Sequence, residues 1–252
     1  MGRAAPAGSR AGAAAAAQAR LTRVDPARGS DQGTPVTHDD TISNPASSQS
    51  IGEWLEALGS SAPAPGGGAA AAMTAGIGAA LVEMVCNLTI GKPAFAEQEP
   101  HVTAIRDTAR ELRARALAGM DRDAAAFSEL MATYRLPKDT DQQKAARRHV
   151  IQAATRRAAV VPLEVAATAA EVARLSAQLP GRSNPAVLSD VGVAASAAAS
   201  AIDSAAINVE VNLATLTDPD AKAALASELA AHLPYADQAR QLAAQIRQEI
   251  SR

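Results

Sequence analysis

Apolar positions in this chain recur at steps of three and four residues, and no run alternates by two over the length of a strand, so the pattern predicts helices throughout. The longest regular stripe, Val191, Ala195, Ala198, Ile202, Ala205, Val209, Leu213 and Leu216, predicts a helix over 186–216. Further helices are expected over 69–89, 100–119, 121–134, 140–161, 162–179 and 219–250. A short one should open at Ser50, because Glu53 three residues later completes a capping box and Trp54 and Leu58 follow. Pro162 lacks an amide hydrogen and clashes with the preceding turn, so it is expected to break or kink the helical run. Ala72, Gly76 and Ala80 recur every four residues, a small-residue stripe on which another helix can lie closely. Gly inside a helix costs ~1 kcal/mol against Ala, so close packing is expected at Gly76 and Gly78. The expected fold is all-α, a multi-helix bundle.

Composition narrows the packing. The chain is 48% hydrophobic but only 2% aromatic, so its core must be built from Ala, Val, Leu and Ile with backbones close together. A net charge of −2 with the two signs interspersed carries no nucleic-acid footprint. One cysteine, Cys86, and four histidines exclude a disulfide framework or a Cys/His zinc cluster, and Cys86 reads as a small buried hydrophobe in a reducing compartment. No metal is expected. The alanine-rich runs are interrupted by Gly, Ser, Glu or Asn, which reads as a cytoplasmic protein with no membrane span. Residues 1–48 hold few large apolar residues and no sustained period, and are expected to be a disordered tail before one folded domain over 49–252. Arg3, Arg10, Arg20 and Arg23 precede the first acid, Asp25, as in a transit peptide; a plain extension or an upstream start site fits equally.

Three segments carry polar residues where chemistry is possible. Ser61-Ala-Pro-Ala-Pro-Gly-Gly-Gly68 runs straight into an alanine-rich helix. It is no P-loop, lacking Gly-Lys-Ser/Thr, and no dinucleotide loop, lacking a preceding strand. Pro65, Gly66, Gly67 and Gly68 either offer helix-end amides to a ligand oxygen or form a tight turn for packing. In the second segment, Met120–Leu130, Asp123 shares a helical face with Ala126, Phe127 and Leu130, whereas Asp121 points elsewhere. A carboxylate aimed at apolar surroundings acquires a raised pKa unless paired, so Asp123 reads either as a functional acid or as a helix-start acid or buried salt-bridge partner, and Asp121 as a cap or support of the same turn. The third holds Asn184, Ser189 and Asp190 around the start of the 186–216 helix, with Asn208 and Asn212 further along it. Helix capping and interhelical hydrogen bonds explain each of these taken singly.

Together, in order, these motifs resemble the formiminotransferase-cyclodeaminase C-terminal family, which includes stand-alone methenyltetrahydrofolate cyclohydrolases. The resemblance covers roughly residues 50–216. Its motifs are Ser61–Gly68, Met84-Val-Cys-Asn-Leu-Thr-Ile-Gly-Lys92, Asp121-Arg-Asp-Ala-Ala-Ala-Phe127, Tyr134-Arg-Leu-Pro-Lys138, Val161-Pro-Leu163, Asn184-Pro-Ala-Val-Leu-Ser-Asp-Val-Gly-Val-Ala194 and Asn208-Val-Glu-Val-Asn212. It implies an all-helical homodimer acting on a reduced folate, with no cofactor beyond that substrate. It also implies an essential aspartate, for which the helical face selects Asp123. The Pro65–Gly68 backbone would lie against the pteridine, Lys92 and Lys138 would meet folate carboxylates unless they are plain surface lysines, and Asn184, Ser189 and Asp190 would complete the pocket. Asn208 and Asn212 would support it. The expected reaction is hydrolysis of 5,10-methenyltetrahydrofolate to the 10-formyl form. The alternatives are cyclisation of 5-formiminotetrahydrofolate with loss of ammonia and, from another class, a non-catalytic helical dimer or folate-binding scaffold.

Overall fold

The computed structural model describes residues 45–252, and no strand occurs among them. A single 3-10 turn, Ala46–Ser48, precedes α1 (Ile51–Gly59), α2 (Gly67–Asn87), α3 (Glu99–Thr133), α4 (Asp141–Ser176), α5 (Leu188–Thr215) and α6 (Pro219–Ile250). α2 lies between α3 and α5, α4 closes the bundle against the same two helices, and α6 runs along α4 and α5. The expected capping box forms: Ser50 Oγ accepts from Glu53 N at 3.3 Å and the Glu53 carboxylate accepts from Ser50 N at 2.9 Å. Thr140 with Gln143 makes a second box at the start of α4. The Asp218 side chain caps α6, which occupies the span its sequence predicts.

The core is largely alanine, in two large buried clusters and a small third one of Leu130, Ala154 and Ala158. The first joins the later half of α2 to Val102–Ala116, Ala169–Leu179, Val191–Ile202 and Ala236–Ile246. The second gathers Trp54, Ala69, Ala72, Met120, Leu163, Val209 and Leu225. A buried methylene contributes about 0.8 kcal/mol, so a core of methyl groups holds only by repeating close contacts. The glycines make them. A Cβ on Gly76 would lie 3.5 Å from the Ala116 Cβ, and one on Gly78 would lie 3.2 Å from Val172 Cγ1. The small-residue stripe of α2 therefore packs helices within one chain and does not by itself indicate a second copy.

Two expected boundaries are absent. The ranges 100–119 and 121–134 are one helix, α3, because the bare face of Gly119 fits against Val165 Cγ2 and the Ala72 Cβ, at 3.4 and 3.5 Å from where its own Cβ would be. The ranges 140–161 and 162–179 are likewise one helix with Pro162 buried inside it. Proline deprives the carbonyl four residues back of its donor. That carbonyl, Ala158 O, instead accepts from Asn212 Nδ2 of α5 at 3.2 Å. The break that Pro162 predicts is thus repaired from a neighbouring helix.

The expected disordered tail falls outside the described residues except at its end, where Ala46–Ser48 packs on α3. The folded body accordingly begins at Ala46. Cys86 is fully buried, and burial pushes its thiol up to about 12, in keeping with a structural role. α2 and the 185–215 span are long and apolar enough to cross a bilayer, with about half of each buried inside the fold.

Candidate active site

The site is built at the start of α2. The first amides of a helix have no acceptor within it, and Gly66 at the N-cap brings no side chain to serve them. α3 supplies the acceptor: Asp123 Oδ2 accepts from Ala69 N at 3.0 Å. Its carboxylate lies so close to the helix end that a Cβ on Gly68 would sit 2.1 Å from Asp123 Oδ1. A Cβ on Gly67 would approach the amide group of Asn208 at 3.3 Å, while nothing lies within 4 Å of the corresponding point on Gly66. None of the three has a positive φ. They are glycines for space: Gly67 and Gly68 receive side chains from α5 and α3, and Gly66 leaves the backbone open.

Asp123 is half-buried, as its helical face predicts. Burial pushes its pKa above the ordinary carboxylate value, and the hydrogen bond from Ala69 N opposes this. The result is an acid at the open end of a helix, held by one amide and able to gain or lose a proton. Asn208 Nδ2 donates to Ser204 O at 2.8 Å. Asn212, one turn on, donates to Asn208 O at 2.9 Å and to the carbonyl freed by Pro162. Half-buried Pro65, joined to Ala64 by a cis peptide, leads into the glycines.

Asp121 does not stand at a helix start, since α3 passes through it. Its carboxylate accepts from Ser47 N at 3.2 Å and from Ser47 Oγ at 2.6 Å. Ser47 escaped the sequence reading because it lies in a polar stretch without periodicity, and Trp54, buried beside Ala69, was read only as part of a helix. Lys138 is exposed in the loop after α3. Lys92, Asn184, Ser189 and Asp190 lie at the other end of α2, whose 21 residues span about 30 Å. There Asn184 N donates to Thr89 Oγ1 at 3.0 Å, its Nδ2 donates to Leu88 O at 3.3 Å, and its Oδ1 accepts from Ala186 N at 3.2 Å. Within one chain the expected site residues therefore form two groups: Pro65–Gly68 with Asp123, Asn208 and Asn212, and a separate group around Asn184.

The sequence model of the formiminotransferase-cyclodeaminase family matches residues 50–231, which contain both groups. The chain belongs to that family. Among its curated members, a methenyltetrahydrofolate cyclohydrolase from Methylorubrum extorquens is 45% identical over 174 residues, 69% of this chain and 83% of the relative. A formimidoyltransferase-cyclodeaminase from Rattus norvegicus is 32% identical over 169 residues, 67% of this chain but only 31% of the longer relative. A crystal structure of formiminotetrahydrofolate cyclodeaminase from Thermotoga maritima superposes with a TM-score of 0.73 at 24% identity, covering 81% of this chain and 98% of that one, which establishes a common fold.

Proposed function

We propose that the chain hydrolyses 5,10-methenyltetrahydrofolate to 10-formyltetrahydrofolate, with Asp123 as the proton-transfer group. The observation that carries this is the half-buried Asp123 carboxylate, raised in pKa and pressed against bare backbone at the open end of α2. The 45% identity to a relative named for this reaction supports the choice of substrate. Asp123 takes a proton from water as the oxygen adds to the cationic methenyl carbon, giving a neutral carbinolamine between N5 and N10. It returns that proton to N5 as the C–N5 bond breaks and the hydroxyl proton leaves to solvent, so one proton is released overall. A carboxyl group with a pKa near the working pH serves both halves. Purified protein incubated separately with the methenyl and the 5-formimino folates decides the matter through the methenyl absorbance band. Decay with the first supports the proposal, growth with the second makes the chain a cyclodeaminase, and no change with either leaves the scaffold reading.

A second copy completes the reading. α2 and α5 are apolar around most of their circumference, and such helices are normally covered on all sides. In this chain Ile77 is 50% and Ile207 61% exposed, and Leu88, Val193 and Val211 are exposed on the same faces. Ala197, between Val193 and Ile207 on α5, lies 3.5 Å from where a Gly78 Cβ would be, next to Ile77, so the two stripes run side by side. Pairing of two copies across this face with α2 antiparallel to its counterpart would bring Asn184 of the partner subunit to Asp123 and unite the two groups. Light scattering should then give a dimer. An inactive Asp123→Asn chain mixed with an inactive Asn184→Ala chain should regain about a quarter of full activity, because half of the dimers are mixed and each has one intact site. A fully active monomer would rule the pairing out.

A further inference from the structure

Hydrolysis of a methenyl bridge consumes a water whose two hydrogens have different fates. One must leave as the oxygen bonds to carbon, and the other stays on that oxygen until the C–N5 bond breaks. Such a water is oriented by two acceptors, of which Asp123 supplies the first. Its Oδ2 is taken by Ala69 N at 3.0 Å, whereas Oδ1 accepts from no group among the described residues and is the atom nearest the missing Gly68 Cβ. The second acceptor is on α5. Asn208 is half-buried, and one end of its amide lies 2.8 Å from Ser204 O. A carbonyl oxygen only accepts, so that end is Nδ2 and the other is Oδ1. Asn208 Oδ1 also accepts from nothing among the described residues, and it lies 3.3 Å from where a Gly67 Cβ would be. Two free oxygens from different helices thus stand against consecutive glycines. Gly68, beside Asp123, is buried, and Gly67, beside Asn208, is exposed.

We propose that Asn208 Oδ1 holds the second hydrogen of the attacking water while Asp123 Oδ1 removes the first. An amide oxygen accepts a hydrogen bond but takes no proton, so Asn208 orients the water without competing with Asp123. As the C–O bond forms, the electron pair of the broken O–H bond stays on oxygen, its proton passes to Asp123, and the π pair of the cationic bridge returns to nitrogen. The remaining hydroxyl hydrogen points to Asn208, on the open side beside Gly67. From there it leaves to solvent when the C–N5 bond breaks. This role rests on the hydrolytic reading above and gives that reading a second residue in contact with the reacting atoms.

Decay of the methenyl absorbance band in the full chain tests the assignment. Asn208→Ala should lower kcat about 10- to 100-fold, with KM and the Kd of tetrahydrofolate within about twofold of wild type, as expected where a reacting group is only misplaced. The rise of rate with pH through the Asp123 ionisation should stay where it is, because a neutral amide with no bond to Asp123 does not set its pKa. Asn208→Asp puts a second carboxylate on the neighbouring glycine, and like charge disfavours ionisation, so that rise should move to higher pH. Gly67→Ala, whose Cβ meets the amide of Asn208 at 3.3 Å, should cost several-fold in kcat alone and little more in the Asn208→Ala background. A kcat within about twofold of wild type in Asn208→Ala overturns the water role. So does a raised KM at unchanged kcat, which would make Oδ1 a partner of the folate ring. Should Asn208→Ala lose helicity by circular dichroism, Gly67→Ala decides: lowered kcat at unchanged KM supports the role, and wild-type kinetics overturn it. A wild-type chain that leaves the methenyl folate unchanged refutes the hydrolytic reading and the water role with it, whereas hydrolysis indifferent to these variants refutes the water role alone.

Discussion

The two ends of α2 solve the same problem in opposite ways. At its C-terminal end the chain satisfies its polar groups locally and cheaply: Leu88 N caps the helix, Thr89 Oγ1 donates to Val85 O at 2.8 Å and accepts from Asn184 N, and Asn184 closes the turn. At its N-terminal end no cap is present in the local sequence, and the acceptor is a carboxylate from α3 held where burial disfavours its charge. A serine at position 66 would have capped the helix by itself. The fold thus brings a half-buried acid to bare backbone at one end, while at the other it holds Asn184 in place by short local bonds.

The comparison breaks most sharply at Asp123. Asp123→Asn retains an acceptor for Ala69 N but exchanges no proton, so kcat should fall about 10²-fold or more. Stability should move the other way. The pKa of Asp123 is raised in the folded state, so the folded chain binds more protons than the unfolded one between the ordinary carboxylate pKa, ~3.9, and the raised value. Stability therefore falls as pH rises through that window and stays lowered above it. Asp123→Asn should show a Tm at or above wild type at pH 7, with the difference vanishing below the ordinary value. A Tm well below wild type at pH 7 would make Asp123 a structural cap.

Next in size is Gly68→Ala. The added Cβ meets Asp123 Oδ1 at 2.1 Å, so the carboxylate must move, and a displacement of about 1 Å is expected to reduce kcat by about 10²-fold. Gly66→Ala meets nothing within 4 Å and serves as the control, with little change expected in the free protein's stability. Equal effects at both positions would mean that the triplet is only a turn.

Third, Asn212→Ala should destabilise the chain by about 1–3 kcal/mol through the unpaired Ala158 carbonyl. In a Pro162→Ala background the same change should cost much less, since the helix then supplies that donor. Urea unfolding of the four chains gives the coupling directly, and additive effects would dissociate the two residues. The smallest effect belongs to the far end of α2. Thr89→Val leaves Asn184 N without its acceptor and should cost about 1 kcal/mol, with folate turnover within about twofold of wild type.

The parts of the fold legible in sequence were those decided locally. The Ser50–Glu53 box, the span of α6 and the stripe of α5 each depend on residues a few positions apart. The two missed joins depend on distant partners. Gly119 continues α3 because Ala72 and Val165 fill the space beside it, and Pro162 stays inside α4 because Asn212, on another helix, serves the carbonyl it strands. The site divides in the same way. The face of Asp123 follows from helical spacing, but its contact with Gly68 requires α2 and α3 to be in register. Asn184 and Asn208 are kept apart by one helix, since Asn184 sits just before the start of α5 and Asn208 lies far along it.

The bond between Asn212 and the carbonyl freed by Pro162 also constrains the order in which this lineage can change. Asparagine at 212 is tolerable beside any residue at 162, because an amide on a neighbouring helix can find another partner. Proline at 162 is tolerable only where the amide is already present. The asparagine should therefore have been acquired first and be lost last, and relatives carrying it without the proline should outnumber those carrying the proline without it.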